Sequence, residues 1–176
     1  EVPVNRSVTL DLKGFELKST GKVVVVNSGA TLTIKDTSSP STGMVKSTGD
    51  CAVAFKKGTK TGNSYDIESG AELATINIQS GNFQAQESCV ITSWSRNNTV
   101  NITGGTFTSI DNAPLAGNGT SGCNGHVWNV SGGTFYGNIT TTGYVACGIY
   151  APNADTWNIT GGTFQIVKGA GIVQRA

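Results

Sequence analysis

The side chains able to do chemistry are few and scattered. The aspartates are Asp11, Asp36, Asp50, Asp66, Asp111 and Asp155, and Glu1, Glu16, Glu68, Glu72 and Glu87 are equally dispersed. Hydrolysis of a glycosidic bond asks for two carboxylates held as an acid–base pair, and no Asp-Asp pair occurs. The single histidine, His126, reads as a turn or strand-end residue. Cys51, Cys89, Cys123 and Cys147 show no C-x-x-C spacing, so no metal site is expected. Four cysteines suit two disulfides in an oxidising compartment, or buried thiols packed as small apolar residues. The Gly-Gly pairs are followed by neither a helix start nor Lys-Ser/Thr, which excludes a phosphate loop. The set predicts a protein without catalysis and without a cofactor.

The aromatic residues offer binding chemistry, because their faces stack on sugar rings. Trp94 closes a strand beside "SRNN" (95–98) and faces outward by parity. With Arg96 and Asn97 it forms the leading candidate contact. Tyr136 and Tyr150, with Tyr144, make a second patch near Asn/Thr-rich turns. Trp128 and Trp157 fall on the inward parity and read as core. The basic loop "KKGTK" (56–60) reads as a solvated tip.

Composition bounds the elements that must position these groups. Net charge is +1 over 176 residues, so there is no electrostatic footprint for nucleic acid. Hydrophobic residues make up 37% and are regularly spaced, which argues against disorder. The 24 glycines, with abundant Thr, Ser and Asn, favour short strands joined by turns over helices. No apolar run reaches the ~18 residues of a membrane span.

The organising signal is a repeated phrase. "NITGGTF" stands at 101–107 and 158–164, "NVSGGTF" at 129–135 and "NIQSGNF" at 77–83. Upstream of each lies an alternating segment, "TINI" (75–78), "TVNI" (99–102), "VWNV" (127–130) or "TWNI" (156–159), and "TLDL" (9–12) and "TLTI" (31–34) continue the column. A second set of apolar segments is "VVVV" (23–26), "CAVAF" (51–55), "CVITSW" (89–94), "CGIY" (147–150) and "GIVQ" (171–174). The Thr-Phe ending of each phrase opens a third. Three short strands per repeat, at a period of tens of residues, predict a solenoid.

Alternation along each strand sends Leu10/Leu12, Leu32/Ile34, Ile76/Ile78, Val100/Ile102, Trp128/Val130 and Trp157/Ile159 inward. Phe15, Phe83, Phe107, Phe135 and Phe164 are expected to form another interior column. Asn77, Asn101, Asn129 and Asn158 are expected to form an outward ladder of stacked amides. The Gly pair turns the corner. Residues 56–72 read as an insertion loop within one expanded unit. Three cysteine pairings are open; the coil alignment favours Cys51–Cys89 and Cys123–Cys147, because neighbouring strands bring Cα atoms within disulfide reach. Sequons at Asn5, Asn97, Asn101, Asn118, Asn129, Asn138 and Asn158 would matter only in a secreted eukaryotic chain.

"SVTLDLKGFEL" (7–17), "SGATLTIKD" (28–36) and the "NITGGTF" corners resemble the right-handed parallel β-helix repeats of bacterial adhesin-like surface proteins, within the pectate-lyase-like superfold. The resemblance implies an all-β, single-stranded right-handed parallel β-helix of about six coils, spanning 1–176 as one domain, a segment of a longer protein. It also implies an extracellular or cell-surface location, with a virion surface as the alternative. Partners would be host glycans or surface proteins, with a second copy or further coils of the parent chain at the ends. Phage fibres and tailspikes, polysaccharide lyases and polysaccharide hydrolases share this superfold. The Gly-His-Gly signature of its hydrolases is missing, since Val127 follows His126. Ice binding through Thr9, Thr31, Thr75, Thr99 and Thr156 is a further reading, interrupted at Val127.

Overall fold

The structure, a computed structural model, describes residues 1–62, 64–66, 70–137, 147–152 and 154–175. The chain winds as a right-handed parallel β-helix of six coils with three faces, the hand that parallel crossover connections adopt. The first sheet stacks Ser7–Asp11, Thr31–Lys35, Thr75–Ile78, Thr99–Ile102, Val127–Val130 and Thr156–Ile159. The second stacks Glu16–Ser19, Met44–Ser47, Asn82–Ala85, Thr106–Ser109, Thr134–Gly137 and Thr163–Ile166. The third stacks Val24–Val26, Val53–Phe55, Ile91–Thr92, Leu115–Ala116, Cys147–Pro152 and Ala170–Arg175.

Alternation decides what is inside. In the first sheet Leu32, Ile76, Val100 and Trp128 are fully buried in one row, with Ile34, Ile78, Ile102 and Val130 in the next. Trp128 stacks on Trp157 with centroids 4.5 Å apart. In the second sheet the rings of Phe83, Phe107, Phe135 and Phe164 stack at 5.0, 4.9 and 4.7 Å. A single coil could not cover these side chains; each is covered by its neighbours along the axis.

Two expectations about the first coil are corrected. Leu10, not Leu12, pairs with Ile34, and Val8 pairs with Leu32. The slip is two residues, which leaves the inward face inward, and Leu12 remains buried. Phe15 does not join the phenylalanine column. It precedes the strand, follows the left-handed turn at Lys13 and Gly14, and is 74% exposed. Leu17 takes its place in register with Val45 and Phe83.

The repeated phrase is the corner between the first and second sheets. It has the same length in the last four coils, residues 79–81, 103–105, 131–133 and 160–162. Gly81, Gly105, Gly133 and Gly162 all have φ near +100°, a region closed to most side chains. The preceding glycine has a different reason: a Cβ on Gly104, Gly132 or Gly161 would lie 2.3–2.4 Å from a carbonyl oxygen of the coil below. Outside this corner the Asn amides form a ladder. Asn101 donates to Asn77, Asn129 to Asn101 and Asn158 to Asn129, each at 2.8 Å.

The insertion at 56–72 carries an antiparallel hairpin, Thr59–Thr61 with Ser64–Asp66. Its base is closed where the Ala71 N–H donates to the Lys56 carbonyl at 2.9 Å. The rest of that loop (residues 63 and 67–69), and Asn138 and Tyr144, lie outside the described residues.

The expected disulfides are absent; all four cysteines are buried thiols. The strand register does place Cys51 beside Cys89 on neighbouring coils, but their sulfurs are engaged elsewhere. Cys51 Sγ lies 3.3 Å from Ser88 Oγ, and Cys89 donates to Asn112 Oδ1 at 3.2 Å. Burial pushes the Cys51 thiol up to about 12 and Cys123 and Cys147 up to about 11. Asp155 and Lys57 are the charged groups that act on Cys123.

Candidate functional site

The third sheet is where the chain departs from uniformity. Its strands shrink to two residues at Ile91–Thr92 and Leu115–Ala116, so the intervening chain is free to build walls. By register Thr92, Ala116 and Tyr150 form one outward row. Trp94 follows Thr92 by two residues and shares its outward parity.

A groove of about 440 Å³ results, lined by Trp94, Asn112, Ala116, Gly117, Asn118, Thr120, Tyr150 and Arg175, with Ser88, Cys89, Thr92 and Gly119 completing it. Trp94 belongs to the third coil and Tyr150 to the fifth, two rungs or roughly 10 Å apart. Between them the fourth coil contributes Ala116 and Gly117 as a small-residue floor, with Asn112 and the loop 118–120 of the same coil beside it, so two aromatic side chains flank that floor. Gly117 is required there, because a Cβ would meet Asp155 Oδ2 at 2.8 Å and Pro152 Cδ at 3.2 Å. Its N–H donates to the Tyr150 carbonyl at 2.9 Å, which ties floor to wall. Asn118 accepts the Thr120 N–H at 2.8 Å and shapes the facing loop. Lys57 Nζ lies 4.9 Å from the Trp94 ring centroid, within cation–π range.

Of the candidates read from the sequence, Trp94 and Tyr150 are brought together here. Arg96 and Asn97 are not among the lining residues. Asn97 turns with φ +56° and donates to Glu72 Oε1 at 2.9 Å, and Arg96 Nε lies 3.9 Å from the same oxygen. Tyr136 lies on the second sheet, in a separate cleft of about 290 Å³ with Thr108, Gln165, Ile166 and Val167. Asn112, Asn118 and Thr120 gave no sequence signal, since polar turn residues are everywhere in this chain.

The carboxylates are occupied elsewhere. Asp36 works against its burial by accepting N–H bonds from Gly43 (2.6 Å) and Gly14 (2.9 Å) and hydroxyl bonds from Ser38 and Ser41, and is held well below the ordinary carboxylate range. Asp11 meets the same corner through Thr37. Asp155 lies under Gly117 and accepts the His126 N–H at 3.0 Å and the Trp128 indole N–H at 3.2 Å. Burial raises its pKa, with His126 opposing.

His126 is more than a strand-end residue. It is completely buried and lies parallel to Phe55 at 6.3 Å. Its Nδ1 accepts the Asn98 N–H at 3.2 Å, so Nε2 carries the proton and donates to the Ser95 carbonyl at 2.9 Å. Burial lowers its pKa, with Asp155 opposing. Among the described residues no three His, Cys, Asp or Glu side chains converge as a metal site, and no helix is long and apolar enough to cross a membrane.

Compared with protein-family models, curated proteins and solved structures, the chain gives no significant match.

Proposed function

We propose that this β-helix is a non-catalytic, adhesin-like surface module that binds glycans along its third sheet. The observation that supports it is the pairing of Trp94 and Tyr150 across a floor of Ala116 and Gly117. Aromatic side chains supply stacking area at low entropic cost, and the Asn, Thr and Ser side chains around them can bond sugar hydroxyls. The groove volume falls in the range of small-ligand sites. A rigid stack that presents variable loops suits an extracellular binding or presenting role.

The test is electrophoresis of the folded protein through native gels cast with a panel of polysaccharides and mucins, stained afterwards for polymer. Retarded migration over intact polymer is expected, and Trp94→Ala or Tyr150→Ala should each weaken it with circular dichroism unchanged. A cleared zone would show depolymerisation and overturn the non-catalytic reading. Migration unaffected by every polymer would overturn the glycan reading.

A further inference from the structure

We infer that His126 is a positioning residue of the third-sheet groove: it fixes the turn that carries Trp94 and releases it on protonation, so that the binding proposed above, on which this rests for the ligand alone, is lost at acid pH. Trp94, half-buried, stands between two buried serines. Ser93 Oγ accepts the Ser95 N–H at 3.3 Å, and the two hydroxyl oxygens lie 3.0 Å apart. Asn98 donates from Nδ2 to Ser95 Oγ at 2.7 Å and to the Ala71 carbonyl at 3.2 Å, and its Oδ1 accepts the Ala74 N–H at 2.9 Å. The imidazole closes this turn. It accepts the Asn98 N–H at Nδ1 and donates from Nε2 to the Ser95 carbonyl, so it ties the first residue after Trp94 to the fourth. The neutral ring with its proton on Nε2 is the one form that satisfies both bonds. A buried polar network satisfied in this way specifies a single arrangement.

A second proton lands on Nδ1 and sets a donor against the Asn98 N–H. That N–H belongs to the main chain and cannot rotate away, and the Asn98 side chain is held from the other direction by Ala71 and Ala74. Nε2 keeps its bond to the Ser95 carbonyl, and the charge strengthens it. The ring therefore leaves Asn98 and takes Ser95 with it. Trp94 is covalently joined to Ser95, so the indole shifts relative to Tyr150 and the floor of Ala116 and Gly117, and the groove between them is lost.

The surroundings of the ring set the direction of the response. Phe55 stacks against it. Asp155, in the turn before the last coil, is the carboxylate that acts on the imidazole, but it accepts the main-chain N–H of His126 rather than a ring N–H. Cys123, on the same loop, feels Asp155 and Lys57 and stays a neutral thiol, its pKa pushed up to about 11. Arg96 and Glu72 face each other at 3.9 Å from part-exposed positions on the same turn. Burial outweighs Asp155 and lowers the pKa of His126, so the neutral ring holds the wall at pH 7 and gives way below the ordinary value near 6.5.

His126 is the single histidine of the chain, so proton NMR of the imidazole C–H signals reads its titration directly. Tryptophan fluorescence, taken as the difference between the chain and Trp94→Phe, reads the wall without any ligand. The two should titrate with one midpoint between pH 7 and pH 5, with far-ultraviolet circular dichroism unchanged. On any polymer that retards the chain at pH 7, affinity should fall about tenfold per pH unit below that midpoint, as the competent fraction does. In His126→Gln, whose amide can accept from Asn98 and donate to Ser95 but takes no proton, the fluorescence step and the pH dependence of retardation should both vanish. A ring that stays neutral down to pH 5, a Trp94 signal that stays flat while the ring titrates, two different midpoints, global unfolding over the same range, or retardation equal at pH 7 and pH 5 would overturn the inference. Should no polymer retard the chain at pH 7, the glycan reading alone fails and the paired titrations still decide this one. Should His126→Gln fail to fold, the coincidence of the two midpoints decides.

Discussion

The first glycine of the corner carries a sharp prediction. In Gly132→Ala the new Cβ would lie 2.3 Å from the Thr103 carbonyl oxygen and 3.0 Å from its carbon. Ordinary contact starts near 3.4 Å, so the fifth coil must lift by about 1 Å from the fourth at this corner. Neither wall can yield easily. The Ser131 N–H donates to Ile102 and the Thr134 N–H to Gly105, both at 2.9 Å, and they straddle the contact. Overpacking of this kind costs about 1–3 kcal/mol, and weakening two backbone hydrogen bonds adds about 1–2 kcal/mol. Gly132→Ala should therefore lose about 2–5 kcal/mol in equilibrium urea unfolding. Gly161→Ala makes the same clash, at 2.4 Å from the Ser131 carbonyl, but in the last coil. Among the described residues the strands of that coil are edge strands, held by a neighbour on one side only, so it can tilt, and its loss should be roughly half as large. A Gly132→Ala cost within ±0.5 kcal/mol, the range of ordinary surface positions, would refute the claim that axial contact dictates this glycine.

Two further predictions test the interior. Phe135 is fully buried between Phe107 and Phe164, so Phe135→Ala should cost about 3–5 kcal/mol in urea unfolding; Phe164→Ala, half-covered at the end of the column, should cost markedly less, and equal costs would refute the stacking account. His126 has its folded pKa depressed below the ordinary value near 6.5, so the stability it contributes is complete above that pH and is lost as pH falls through the folded value. Protonation at Nδ1 would set a donor against the Asn98 N–H. The Asp155 shift is of opposite sign: its raised pKa returns stability as pH falls through the folded value and works against the His126 trend. The melting temperature should therefore drop between pH 7 and pH 5, and His126→Gln should flatten that drop; a wild-type profile that is already flat would refute it.

Much of this fold is legible because one coil dictates the next. The column of Ile76, Val100 and Trp128 could be read from alternation alone, since a residue one rung away sees the same surroundings. Reading failed where the periodicity stopped. The first coil has Lys13-Gly14 in place of the three-residue corner, so its leucines admit two alignments and Phe15 mimics a column it does not enter. Cys51 and Cys89 are correctly neighbours in register, yet adjacency of Cα atoms says nothing of where the sulfurs turn. The groove was half legible. Parity placed Trp94 outward, but its partner Tyr150 lies 56 residues on, and nothing local in either segment links them.

The same asymmetry supports the proposed binding site on the third sheet. From the third coil onward, three residues always separate the first-sheet strand from the second-sheet strand. The invariant corner locks those two sheets in register through its glycines and its amide ladder. All the variation in coil length must then fall on the remaining side. The third sheet answers with two-residue strands in the middle coils and longer excursions around them, which set Trp94 and the 118–120 loop around the groove. Stability and variation are thus assigned to different sides of one triangular prism. Substitutions in the groove loops should consequently alter binding without disturbing the stack. Substitutions at the Gly-Gly corner should disturb the stack and reach binding only through it.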